Sequence, residues 1–129
     1  MRLLLDSHIL LAVTRGQAAS LGPAIVSLLD AAEHERTMSI ASLWEIAIKH
    51  RLSKLQLIIP LEELPDYFVS LDYTLLDISA RHAIEELSES PPTRDPFDRL
   101  LLAQCQVEGM RLVTLDRALA RHPLAWRAK

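Results

Sequence analysis

Arg2-Leu3-Leu4-Leu5-Asp6-Ser7-His8 decides how the chain is built. The apolar run from Leu3 to Leu5 shows no alternation with polar residues, the pattern of a strand buried on both faces, and it stops abruptly at an acid. Such strands belong to parallel sheets covered by helices, and the residues after Asp6 continue at once as a helix ending near Gly16. The same rhythm runs through the rest of the chain. Gly22-Pro23 opens a second helix reaching about His34, and residues 37–40 read as a second short strand. Ser42-Leu43-Trp44-Glu45 fits the S-x-x-E capping box, which puts Glu45 in the first turn of a helix reaching about Leu52. Residues 54–60 form a connector, and 61–71 a helix complicated by Pro65. Residues 73–78 read as a third strand, and 79–87 as a helix. The only loop of low apolar content is 88–93, and 111–115 is a fourth strand ending at Asp116. With no internal repeat, no low-complexity tract and no boundary signal, residues 1–129 read as one domain, an α/β sandwich around a parallel sheet.

Between the loop and the last strand lies Arg94-Asp95-Pro96-Phe97-Asp98-Arg99-Leu100-Leu101-Leu102-Ala103-Gln104, where two acids share one helix start. Asp95 is an N-cap, Pro96 suits the first helical position, and Asp98 falls in the first turn. Leu101, Leu102 and Cys105 follow Asp98 at i+3, i+4 and i+7, so Asp98 lies at the upper end of the core-facing stripe of a helix that stops at Gly109. A charge placed there needs compensation. The helix dipole supplies about 0.3–1 kcal/mol, and a cation would supply more.

Composition narrows the classes. Half of the 129 residues are apolar, enough for one core and not two. No apolar run approaches the ~20 residues of a membrane span, and no secretory leader opens the chain, so a cytoplasmic protein is expected. A single cysteine, Cys105, excludes an internal disulfide, and its place on the apolar side of a helix makes it a core residue. With 17 acids against 14 basic residues, net −3, the chain lacks the positive field of a passive nucleic-acid binder. A nuclease remains open, because a cation held by carboxylates attracts phosphate locally.

In a parallel sheet, ligands bind beyond the carboxyl ends of the strands. Asp6 and Asp116 each follow a strand, and Glu45 and Asp98 each sit in a first helical turn, so all four acids converge on that edge. Each alone has an ordinary use as a cap or a dipole partner. Four together repel one another strongly enough to raise a pKa or demand a cation, and oxygen-only ligands suit Mg²⁺ or Mn²⁺. The five histidines, at 8, 34, 50, 82 and 122, show no metal-ligand spacing. A carboxylate-held cation that activates water and neutralises a leaving oxygen is the logic of a metal-dependent nuclease.

Four motifs carry a family resemblance: Leu5-Asp6-Ser7-His8, Ser39-Ile40-Ala41-Ser42-Leu43-Trp44-Glu45-Ile46, Arg94 through Gln104, and Val113-Thr114-Leu115-Asp116. In this order they resemble the PIN-domain ribonucleases, and within them the VapC-type toxins of bacterial toxin–antitoxin pairs. The third motif is highly specific; the last alone is weak. The resemblance implies a PIN-like three-layer α/β/α sandwich with a short, mostly parallel sheet. It also implies an endoribonuclease in which Asp6, Glu45, Asp98 and Asp116 are the catalytic, metal-binding acids for Mg²⁺ or Mn²⁺. RNA is the implied substrate, with a VapB-type antitoxin whose C-terminal segment covers the site, and a homodimer. Three departures stand out: Ser7 replaces the usual Thr and keeps its hydroxyl, Thr93 sits where many members have His, and Leu11-Ala12, read as core packing, replaces a frequent aromatic.

Lys49, Arg51 and Lys54 lie at or past the end of the third helix, where a solvated face favoured by the dipole is the first expectation and contact with RNA phosphates the second. Arg99 is left between a phosphate and a neighbouring acid, Trp44 is expected in the core beside Ile48, and Trp126 either packs back or joins a dimer contact. Two rivals accompany the nuclease. Phosphoryl transfer through an aspartyl nucleophile at Asp6 is disfavoured because His8 stands where such hydrolases carry a second acid. The other rival is a PIN-like binding module that has lost its chemistry.

Overall fold

The computed structural model describes residues 1–128. Four strands, β1 (Arg2–Leu5), β2 (Glu35–Ser39), β3 (Thr74–Leu76) and β4 (Arg111–Val113), form one sheet in the order β3-β2-β1-β4. Every pairing is parallel, with Leu4 opposite Thr37 on one side and Leu112 on the other. Six helices cover it: α1 (Ser7–Thr14), α2 (Pro23–Asp30), α3 (Ile40–Arg51), α4 (Leu64–Ser70), α5 (Ala80–Ile84) and α6 (Pro96–Glu108). The strand reading of Leu3–Leu5 explains the layers directly. Leu3 and Leu5 point to one face and join a cluster with Ile9, Leu10, Met38, Ile46 and Phe68. Leu4 points to the other and packs with Ala41, Leu101, Leu102, Cys105 and Leu112. All three leucines are fully buried, each contributing about 1.5–3 kcal/mol of transfer free energy.

Several boundaries differ from expectation. Helix α2 stops at Asp30 because Ala31 turns extended and the polar 33–35 stretch offers no apolar stripe; Glu35 already donates its N–H to the Met1 carbonyl at 2.9 Å. Pro65 is accommodated in the first turn of α4, after a 3-10 turn over Leu61–Glu63. The third strand and the helix after it shrink to three and five residues, β3 being an edge strand. The capping box at Ser42 is not formed. The ladder between β2 and β3 ends at Ser39, whose extended backbone and side chain, accepting from the Ala41 N–H at 3.0 Å, make it the N-cap of α3. Glu45 therefore lies in the second turn, not the first. It also takes an inward position that Trp44 was expected to fill; Trp44 is 55% exposed and meets Phe97 edge-to-face at 5.7 Å.

The outer edge of β4 is covered by the returning chain. Leu112 donates its N–H to the Leu124 carbonyl and accepts from the Trp126 N–H, and Trp126 packs back against the core. Cys105 is buried in the core. Among the described residues no helix is long and apolar enough to cross a membrane.

Candidate functional site

As the chain leaves β1, the Asp6 N–H bonds the Val113 carbonyl at 3.1 Å, and its Oδ1 caps α1 by accepting from the N–H groups of His8 and Ile9. Asp6 is only 6% exposed, and burial pushes its carboxyl above the usual range against the lowering effect of hydrogen bonds from Thr114 and the cap. The next residue, Ser7, donates its hydroxyl to Oε1 of Glu45, while Lys49, one turn on in α3, holds Oε2 at 3.0 Å. Glu45 is thus a buried acid fixed at both oxygens. The 93–98 segment supplies two more carboxylates. Thr93 accepts the Asp95 N–H at 3.0 Å through its hydroxyl and donates to Oδ2 of Asp98 at 3.4 Å; Asp95 caps α6 by accepting from the Phe97 N–H at 2.8 Å. Helix α6 ends, as the sequence requires, at Gly109 in the left-handed region. Asp116 stands three residues beyond the end of β4, exposed, with Oδ1 accepting from the Ala118 and Leu119 N–H groups.

Asp6, Glu45, Asp98 and Asp116 all line one pocket of about 130 Å³ at the carboxyl edge of the sheet, together with Asp95, Ser7, His8 and Lys49. Their nearness is visible in Asp98, whose carboxyl is raised to about 6, first by burial and then by the charges of Asp95, Glu45, Asp6 and Asp116. Five carboxylates thus face one ammonium. In donor type and charge the set fits a hard divalent cation. As the side chains stand, no three of them enclose an ion among the described residues, and the caps at Asp6, Asp95 and Asp116 each engage one oxygen while Glu45 is hydrogen-bonded at both. A cavity of about 740 Å³ at the opposite edge, beside Met1, His34, Arg111 and Trp126, has one acid in its lining, Glu33.

Sequence reasoning missed the Ser7–Glu45 bond and the part of Thr93 in orienting both Asp95 and Asp98. Only the i,i+4 spacing of Glu45 and Lys49 was a readable signal, and it pairs Lys49 with an acid where a solvated face was expected. Asp95 is the N-cap expected of it and also adds the largest of the charges acting on Asp98. Arg99 lies in a different pocket, with His82 and Glu85.

No curated protein matches the chain. Among solved structures, a chain in the crystal structure of VapBC2 from Rickettsia felis bound to a DNA fragment from their promoter is similar to this one at a TM-score of 0.65 and 20% identity, covering 97% of this chain and 96% of that chain. A chain of a toxin–antitoxin complex from Klebsiella pneumoniae is similar at a TM-score of 0.62 and 16% identity, covering 96% and 95%. At these identities the likeness bears on fold alone, and the fold is the one described above. Residues 3–124 match the model of the PIN domain. With that match running from the first strand past the last, the chain belongs to the PIN-domain family.

Proposed function

We propose that the chain is a VapC-type endoribonuclease that uses Mg²⁺ or Mn²⁺ to hydrolyse RNA phosphodiester bonds, and that a VapB-type antitoxin neutralises it. The observation that carries this is the gathering of Asp6, Glu45, Asp98 and Asp116, from four separate segments, around one pocket at the carboxyl edge, where burial first and the neighbouring charges second raise the Asp98 carboxyl to about 6. Asp6, Glu45, Asp98 and Asp116 would hold the cation. When bound, a divalent cation supplies activation of water and neutralisation of charge building up on the phosphodiester. The chain's own residues do the positioning. The caps aim Asp6 and Asp116 from the sheet edge, Ser7 and Lys49 fix the two oxygens of Glu45, and Thr93 steadies Asp98. Likeness to chains of two toxin–antitoxin complexes supports the antitoxin, and the family resemblance alone implies a homodimer.

One observation favours the rival, a binding module without chemistry: among the described residues no three acids close on an ion as they stand. Cleavage of labelled single-stranded RNA separates the two. The parent should cut in millimolar Mn²⁺ and stop in EDTA, and Asp6→Asn, which keeps the cap but removes one anionic ligand, should lose at least about a hundredfold in rate while melting normally. A parent inert in Mn²⁺, or an Asp6→Asn protein as active as the parent, would make the module the better reading.

A further inference from the structure

We propose that the groove between the end of α1 and the end of α3, walled by Arg15, Lys49 and Lys54, binds the phosphates of single-stranded RNA next to the bond being cut. It rests on the nuclease reading above. The groove measures about 390 Å³, and three cations line it against one acid, Glu45. Two of the chain's three lysines are here, in a molecule of net charge −3 that has no overall attraction for RNA. Ser7, His8, Glu45 and Lys49 line both this groove and the acidic pocket, so a strand leaving one enters the other directly. Leu11, Ile46 and Leu55 supply an apolar lining suited to a ribose or base beside the charged wall.

Backbone bonds fix the turn that carries the two lysines, and the Lys49 ammonium is paired with Glu45 at 3.0 Å. Helix α3 ends with Ser53 in the left-handed region at φ 58, its N–H bonded to the His50 carbonyl at 3.0 Å, while the Lys54 N–H bonds the Lys49 carbonyl at 2.8 Å. This double closure ties the two lysines to one turn. Arg15 is fixed from the other wall by donating to the Gln56 carbonyl at 3.0 Å. An acidic peptide could meet the same cations, but the shared wall with a pocket of five carboxylates favours a chain whose next charged group is a phosphodiester offered to that pocket.

The test is steady-state cleavage of a short labelled single-stranded RNA in Mn²⁺ over a range of salt, comparing the parent with Arg15→Glu, Lys54→Glu, Lys54→Gln and a control, Arg81→Glu on exposed α5. Arg15→Glu and Lys54→Glu should raise KM about tenfold or more with kcat within about twofold, and Lys54→Gln should fall between. The slope of log KM against log salt should shrink by about 0.7 for each phosphate that is no longer neutralised. Arg81→Glu should change neither. If the parent cuts RNA and the groove variants behave like Arg81→Glu, or if polyglutamate binding depends on Lys54 while KM for RNA does not, the groove does not bind RNA and the nuclease reading stands. If the parent cuts no RNA, both fall.

Discussion

Asp98 is where a structural acid and a cation-binding acid make opposite predictions. A carboxylate that merely complements the α6 dipole would lose about 0.3–1 kcal/mol of stability on neutralisation. Asp98 instead is raised to about 6 from an ordinary 3.8, first by burial and then by the charges of four other carboxylates. A folded-state value above the unfolded one means that ionisation opposes folding: no penalty below about 3.8, a growing one as pH rises toward 6, and the whole of it above. In metal-free buffer at pH 7.5, Asp98→Asn should therefore melt higher than the parent, with the gain fading as pH falls through 6 and gone below 3.8; thermal melts across that range check the sign. Asp95→Asn, which keeps the cap but removes the largest of the charges acting on Asp98, should also melt somewhat higher than the parent in that buffer, and should still cleave RNA. Elsewhere, burial pushes the Cys105 thiol up to about 12, so iodoacetamide at pH 8 should leave the native protein unlabelled and label it in denaturant.

Elements with strong local punctuation were legible in the sequence, and those set by neighbours were not. Asp95-Pro96 and Gly109 bound α6 at both ends, and the unbroken apolar run of β1 revealed a strand buried on two faces. The start of α3 escaped because two serines stand near it, and only the end of the β2–β3 ladder at Ser39 chooses between them. The choice has a measurable consequence. Ser39 caps α3 and donates to Oε1 of Gln104, whereas the buried Ser42 hydroxyl has no partner among the described residues. Ser39→Ala should cost about 1–2 kcal/mol in urea melts, and Ser42→Ala should be neutral or slightly stabilising. The reverse order would restore the capping box at Ser42. Short β3 and α5 were overread because their ends are fixed by tertiary bonds, such as that from Gln104 Nε2 to the Asp77 carbonyl, that no local pattern announces.

At the scale of the molecule, a parallel sheet explains why residues as far apart as 6 and 116 meet: every strand delivers its carboxyl end to one edge. Strand order was not needed for that, so the four acids were legible from the sequence. The groups that orient them were less so, because the Ser7 to Glu45 bond and the Thr93 clamp depend on how helices dock on the sheet. Gathering like charges destabilises the fold, and a cation that binds only the folded protein returns stability as RT ln(1 + [L]/Kd), about 2.7 kcal/mol at a hundred times Kd. Calorimetric titration of Mn²⁺ into the parent and into Asp6→Asn, with melting followed on the same samples, addresses this most directly. The parent should bind with measurable heat and melt higher as Mn²⁺ rises, and Asp6→Asn should bind at least about tenfold more weakly with a correspondingly smaller shift. A parent that takes up no Mn²⁺ and melts at the same temperature throughout would contradict a cation site built from these four acids.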